Sequence, residues 1–350
     1  MADRQKGSDG QAAGGISRRD LLRSGAAGAV GLAAGAGALA GIAPGNAEPA
    51  PGGAGGAHSQ GLAGADGDVN PNGFDATAFL KTFDYGRVSK LPHGRVQREY
   101  DITAVDREIE VAPGVYFAAW TYNGTVPGPT IRCTEGDWLK VNFTNAGSHP
   151  HTIHFHGVHA AAMDGVFEVV APGESFVYEF AAAPMGFHLY HCHAIPLKRH
   201  VHKGLYGAFI VDPPDGRPDA NELLMLMNGF DTNFDGDNEV YAVNTVAHHY
   251  QRHPIEIEQG ELVRVYLGNM TEFDLLNSFH LHGNFFRLYR TGTDPERYEW
   301  TDTVMLCQGE RAVLEFTYDF PGKYMFHAHQ SEFAELGWMG IFDVKPTTVV

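Results

Sequence analysis

The chain has 350 residues, enough for two or three domains. With 25 Lys/Arg against 42 Asp/Glu its formal charge is −17, which argues against a nucleic-acid partner gripped through its phosphates. Three cysteines are too few for a disulfide scaffold.

Residues 1–47 read as a targeting segment rather than as part of the fold. Ser17-Arg18-Arg19-Asp20-Leu21-Leu22 has the look of a twin-arginine signal, a run of Ala, Gly, Leu and Val follows to Ala43, and Gly45-Asn46-Ala47 suits cleavage. The expected destination is extracellular, cell-envelope or periplasmic. The competing reading, a single membrane anchor, suffers from the Gly/Ala-rich character of the run, and no stable membrane insertion is expected after signal removal. Residues 48–73, rich in Gly, Ala and Pro, read as a disordered linker.

From residue 74 onward the chain repeats itself. Pro129–Val141 matches Pro254–Val265; HTIHFHG at 151–157 matches NSFHLHG at 277–283; the segment 171–193 matches 307–329; and 200–212 matches 333–344. Each copy is a series of short alternating strands separated by Gly/Pro turns, with little periodic helix. The fold class is therefore all-β, two tandem Greek-key β-sandwiches. The first covers 74–213 and the second 214–350, joined at the stiff polar stretch 212–218. In the second copy, Asp231–Glu239 resembles half a calcium loop but lacks the spacing and helices of a full one, and reads as an acidic turn.

The chain contains 19 histidines, for which random placement would give ~1 His-x-His pair. Six are present, at 149/151, 154/156, 191/193, 200/202, 280/282 and 327/329. On a strand successive side chains point to opposite faces. In His191-Cys192-His193 the thiol therefore points one way and both imidazoles the other. Likewise His154 and His156 share a face that His151 does not. The set His151, Cys192 and His200 can converge inside the first sandwich. In the second copy its counterparts are Asn277, Ala328 and Phe333, lost together as expected of residues serving one metal. The outward pairs survive in both copies and so serve something else.

A trigonal His₂Cys set is the signature of blue copper. Its axial position falls, by spacing, on Leu205, which cannot ligate and should raise the reduction potential. Zinc would want a fourth polar ligand. The outward histidines 154, 156, 191 and 193, with 280, 282, 327 and 329, are enough to hold three more coppers. His188 and Tyr190 share the Cys192 side of their strand and are expected to pack near the inward metal. Cys133 and Cys307 are expected to be buried free thiols.

These motifs resemble those of two-domain multicopper oxidases, small laccases among them, with relatedness to copper nitrite reductases. The resemblance spans roughly residues 90–347. It implies cupredoxin-like domains, a type 1 copper on His151, Cys192 and His200, a type 2 copper on His154 and His280, and a type 3 pair on His156, His191, His193, His282, His327 and His329. Four coppers per subunit follow, as does a homotrimer in which each cluster forms between one subunit's first domain and its neighbour's second. The expected activity is laccase-like oxidation of a small reducing substrate (a phenol, an aromatic amine or a metal ion) coupled to four-electron reduction of dioxygen. Electrons would cross from Cys192 through His191 and His193. Asp164 and Glu332 lie near ligand motifs and are candidates for proton delivery. The chief rival is nitrite reduction to nitric oxide, for which an acid would be expected at the His154 position. A non-enzymatic electron carrier or copper-sequestering protein does not need eight outward histidines.

Overall fold

Strict alternation of buried with exposed or half-buried positions, as at Ile255–Glu258 and Met339–Lys345, marks strands with one face in a core and the other toward solvent. A computed structural model describes residues 74–347. The expected export segment 1–47 and linker 48–73 lie outside them.

The first half contains β1 (Arg87–Lys90), β2 (Val96–Ala112), β3 (Val115–Tyr122), β4 (Ile131–Thr134), β5 (Trp138–Asn145), β6 (His154–Phe155), β7 (Ser175–Ala181), β8 (Gly186–His191) and β9 (Tyr206–Asp212). The second contains β10 (Asn221–Phe230), β11 (Val240–Val243), β12 (Ile255–Glu258), β13 (Val263–Asn269), β14 (Leu276–Leu281), β15 (Phe286–Arg290), β16 (Glu299–Thr301), β17 (Thr303–Cys307), β18 (Arg311–Phe316), β19 (Gly322–His327) and β20 (Met339–Lys345). The helices are short: α1 (Ala76–Phe79), α2 (Leu197–His202), α3 (His249–Arg252) and α4 (Ser331–Glu335). None of the described helices is long and apolar enough to cross a membrane.

The strands form two cupredoxin-like sandwiches. One pairs the sheet β1-β2-β5-β7, with β3 on β2, against β4-β9-β8-β6; the other pairs β11-β10-β13-β18-β15-β16 against β12-β20-β19-β14-β17. The internal repeat is visible in the register. β4 runs parallel to β9 as β12 does to β20, and His154↔His191 across β6 and β8 repeats as His280↔His327 across β14 and β19.

β8, β9, β10 and β13 are buried almost throughout instead of alternating. The reason is that the sandwiches pack on each other. Phe187, Leu189 and Ile210 share one apolar cluster with Leu224, Leu226, Tyr266 and Val313. Beside this core Arg132 pairs with Asp212 at 2.7 Å and Glu222 at 2.6 Å, while Arg264 pairs with Glu222 at 3.1 Å and Glu315 at 2.7 Å. Such a buried network is costly to break on one side, because the remaining charge is left unpaired. It holds the two halves in one orientation.

Candidate metal centres

Three elements deliver the inward set. His151 sits in a two-way backbone bridge with Val170, at 3.0 Å in each direction. Cys192 follows β8, and its N–H donates to the Leu205 carbonyl at 2.9 Å. His200 comes from α2. His151 Nδ1 lies 3.2 Å from His200 Nδ1, and Cys192 Sγ lies 3.2 Å from the same nitrogen. Three atoms each ~2.0–2.3 Å from a common centre in a trigonal arrangement would be roughly 3.3–3.7 Å apart, so the spacing fits one metal ion.

Other features point the same way. All three side chains are buried, and Leu205 beside them is fully buried and offers no donor. His151 Nε2 is enclosed without a hydrogen-bond partner. Burial holds the His151 and His200 imidazoles down to a pKa of about 4, so both present lone pairs at neutral pH. Burial pushes the Cys192 thiol up. A bound cation would reverse that by favouring the thiolate. The donor set suits copper and leaves zinc without its fourth ligand.

The outward histidines stand in two groups. In the first sandwich His156 Nε2 lies 3.2 Å from His191 Nε2. His154 Nδ1 donates to the Asp164 carbonyl at 2.8 Å, with the Asp164 carboxylate 3.1 Å away, and His191 Nδ1 donates to Cys192 O at 3.0 Å. The His193 ring is 5.5 Å from that of His154. In the second sandwich His282 Nε2 lies 2.9 Å from His327 Nε2, His280 Nδ1 donates to Asp302 O at 3.0 Å, and His327 Nδ1 donates to Ala328 O at 2.6 Å. The His329 ring is 5.2 Å from that of His280. The backbone N–H groups of His193 and His329 even donate to matching hydroxyls, Thr152 Oγ1 and Ser278 Oγ. Within one chain the two groups remain separate ligand clusters.

Of the two candidate carboxylates, Asp164 lies against His154, while Glu332 is exposed on α4 and exerts its charge on Tyr241. His188 corrects an expectation. Its Nε2 donates to Pro184 O at 2.8 Å and its Nδ1 faces Arg311 at 3.3 Å, so it looks toward the second sandwich rather than the inward set. Tyr190 lies in the apolar cluster that contains Cys192. Cys133 and Cys307 are both free, but only Cys133 is buried. Cys307 ends β17 on the outward face of its alternating pattern, so its side chain meets solvent. The 231–239 stretch is a closed acidic turn in which the Asp231 carboxylate accepts the N–H groups of Asp235 and Gly236.

Three residues near the centres carry no sequence signal. The Trp120 ring packs at a tilt against His200 and His149, with centroids 4.8 Å and 4.4 Å away. Glu272 of the second sandwich lines a cavity of about 320 Å³ shared with His154, His156, His191 and His193. Burial raises its carboxyl pKa above the usual range. Arg311 reaches His156 from 155 residues away. Contacts so remote in sequence leave no local pattern.

Comparison with known proteins finds copper oxidoreductases. Multicopper oxidase family profiles match residues 104–216 and 217–348. A solved structure described as a multicopper oxidase is 56% identical, covering 78% of this chain and 98% of that one, with a TM-score of 0.77. The copper nitrite reductase of Nitrosomonas europaea is 25% identical, covering 71% of this chain and 94% of that one, with a TM-score of 0.66. The copper-containing nitrite reductase of Neisseria gonorrhoeae is 30% identical over 246 residues, which are 64% of this chain and 62% of that protein. The chain therefore spans less than two thirds of the length of that curated relative.

Proposed function

The chain belongs to the multicopper oxidase family, and on that premise we propose that it couples one-electron oxidation of a small reducing substrate to four-electron reduction of dioxygen to water. Copper, when bound, supplies the one-electron redox chemistry and the oxygen-binding centre. In this reading His151, Cys192 and His200 would hold the type 1 ion, with the buried side chain of Leu205 beside them offering no further donor. His154 and His280 hold the type 2 ion, and the other six outward histidines hold the type 3 pair.

The observation that carries the reading is the His191-Cys192-His193 tripeptide. One short backbone segment supplies the buried thiol of the inward set and two imidazoles of the outward set. His191 Nδ1 closes a second link by donating to the Cys192 carbonyl at 3.0 Å. Asp164 orients His154 through its carbonyl and keeps a carboxylate beside it. Glu272, its carboxyl raised by burial, holds a proton at higher pH than a surface carboxylate does, in the cavity with the four imidazoles.

The two separate outward groups support assembly between subunits, for which the homotrimer is the proposed form. Phe167, Ile195 and Trp300, all more than half exposed, lie within a few residues of Asp164, His193 and Asp302. Such apolar surface beside half-sites suits an interface. Export across a membrane remains part of the proposal.

Nitrite reduction is the second reading, favoured by the similarity to nitrite reductases and by the carboxylate at His154. The test uses the copper-loaded full chain with a one-electron dye as donor. We expect four coppers per chain, rapid oxygen uptake with four donors oxidised per dioxygen, and slow nitric oxide formation under anaerobic nitrite. Two coppers per chain with the reverse ranking of rates would establish the nitrite reading instead.

A further inference from the structure

We infer that Phe273, on a loop of the second sandwich, is a positioning residue for the first: it holds α2 so that His200 meets Cys192. The inference rests on the type 1 copper reading of the inward set, and its test separates the two.

Its first support is where the ring lies. His200 alone in the inward set comes from a helix, and α2 has only 6 residues. A helix that short takes its orientation from what packs on it. The Phe273 ring meets the His202 ring edge to face, 4.6 Å between centroids, and the Lys198 ammonium lies 4.0 Å from the Phe273 centroid. Lys198 and His202 stand on either side of His200 in the chain, one helical turn apart, so a single ring brackets the ligand. The pull of a cation toward the ring face adds to the apolar contact.

The second support is that this loop is braced. The 231–239 loop lies beside it and grips the end of the same helix. Asp231 N–H donates to His202 Nε2 at 3.1 Å, and the Lys203 ammonium lies 4.4 Å from the Phe234 centroid. Asn238 ties the two loops together. Its Nδ2 donates to Glu272 O at 2.7 Å and to the Asp274 carboxylate at 2.9 Å, on both sides of Phe273. Tyr241 donates to that carboxylate at 2.7 Å. Phe234 and Phe273 have φ of 65° and 72°. A bulky side chain keeps such a backbone only where surrounding contacts over-determine it.

The third support is the internal repeat. The β10–β11 connection spans 231–239, whereas its counterpart β2–β3 turns at Pro113 and Gly114. Asn145 and Asn269 end the matching strands β5 and β13, and each side chain accepts the N–H two residues on at 3.0 Å. From there the chain uses 270–276 to reach Asn277, but only 146–150 to reach His151. Both loops that grip α2 are longer in the copy that lacks the inward ligands. Their added length is placed against the neighbouring sandwich.

The test uses copper-stripped full-length protein, reloaded by Cu(II) titration, as wild type, Phe273→Ala, Phe273→Leu and Phe273→Tyr. The blue absorbance from Cys192 reports the inward site, and total copper after dialysis against a competing chelator gives the outward sites by difference. We expect Phe273→Ala to bind inward copper about 10-fold more weakly, with the blue band displaced at saturating copper and outward copper unchanged. Phe273→Leu, with bulk but no ring face, should fall between, and Phe273→Tyr should match the wild type. Wild-type affinity or an unmoved band in Phe273→Ala would overturn the inference. So would a Tyr variant as weak as the Ala variant. Parallel loss of outward copper would also overturn it, by showing a general structural role. If Phe273→Ala does not fold, Phe273→Leu decides alone by the same criteria. A wild type that shows no blue absorbance when loaded would instead defeat the type 1 reading itself.

Discussion

The two sandwiches solve one backbone problem in two ways. In the first, the space behind β8 holds His151, Cys192, His200 and Leu205, with one imidazole nitrogen enclosed and unpaired. In the second, the matching positions are Asn277, Ala328, Phe333 and Trp338. There every donor is used: Trp338 Nε1 donates toward Asn277 Oδ1 and Ser278 O, both at 3.1 Å, and Phe333 stacks on Tyr241 at 4.0 Å between centroids. The turn that feeds this space is the same in both. Gly204 and Gly337 have φ of 109° and 130°, and a Cβ would come within 2.4 Å of Val126 or 2.3 Å of the Tyr241 carbonyl. Shared scaffolding with opposite filling sets a large buried indole against a cluster of two imidazoles and a thiol as alternative ways to complete one core.

The strongest break in the comparison is chemical. Cys192→Ser should remove the blue absorbance and lower oxidase turnover more than about 100-fold, since a ligand matters more than its support. Installing the thiol alone in the other sandwich, as Ala328→Cys, should give no blue colour, because Asn277 and Phe333 supply no imidazole. A blue band in that variant on a Cys192→Ser background would show that the scaffold, not the ligand set, defines the site.

The outward faces are the property the sandwiches share, and mixing tests whether they work together. His154→Ala and His327→Ala subunits should each be inactive. Reassembled together they should regain a measurable fraction of activity, through sites that carry neither lesion. Full activity in a demonstrated monomer would contradict assembly between subunits.

The packed sandwich should be the more sensitive to loss of volume. Trp338→Ala should cost about 3–5 kcal/mol, read by denaturant unfolding. Leu205→Met, at the equivalent position of the first sandwich, is close to volume-conserving and should cost less than about 1.5 kcal/mol. Its effect should fall on the reduction potential, lowered by the new thioether. Equal costs at the two positions would remove the distinction.

Acid should expose a further asymmetry. His202 is buried against Phe117 and Phe273, its Nε2 accepts the Asp231 N–H at 3.1 Å, and burial holds its pKa down to about 4. A depressed histidine pKa means that the fold favours the neutral ring. Its stabilisation is present above the ordinary value near ~6.5 and is lost as pH falls toward about 4, on the order of 3 kcal/mol in all. The counterpart, Glu335, is exposed. Metal-free His202→Gln should therefore show a flatter decline of stability between pH 6.5 and 4 than the parent. Identical slopes would show that His202 is not a source of the acid lability.

Much of this molecule was legible from strand alternation. A period of two is enough to send Cys192 one way and His191 and His193 the other, and the repeat with its three coordinated losses separated the inward set from the outward ones. The same logic went wrong at His188. Sharing a face with Cys192 did not decide its neighbours, because β8 is covered by the second sandwich and Arg311 arrives from there. Cys307 was misplaced for another reason, since the general burial habit of free cysteine says nothing about which face of β17 a given position takes.

The sequence by itself therefore determined what is local and periodic: the all-β class, the tandem repeat, and the types and facing of the candidate ligand residues. The tertiary structure alone decided what converges from distant segments. The 3.2 Å meeting of His151 and His200, the placement of Glu272 in one cavity with the imidazoles, the tilted Trp120 contact and the Arg311 fork all depend on how sheets pack. The physical reason is that alternation is imposed by the backbone of each strand. Contacts between strands far apart in the chain are set by the burial of apolar surface, which fixes no particular partner until the whole core is assembled.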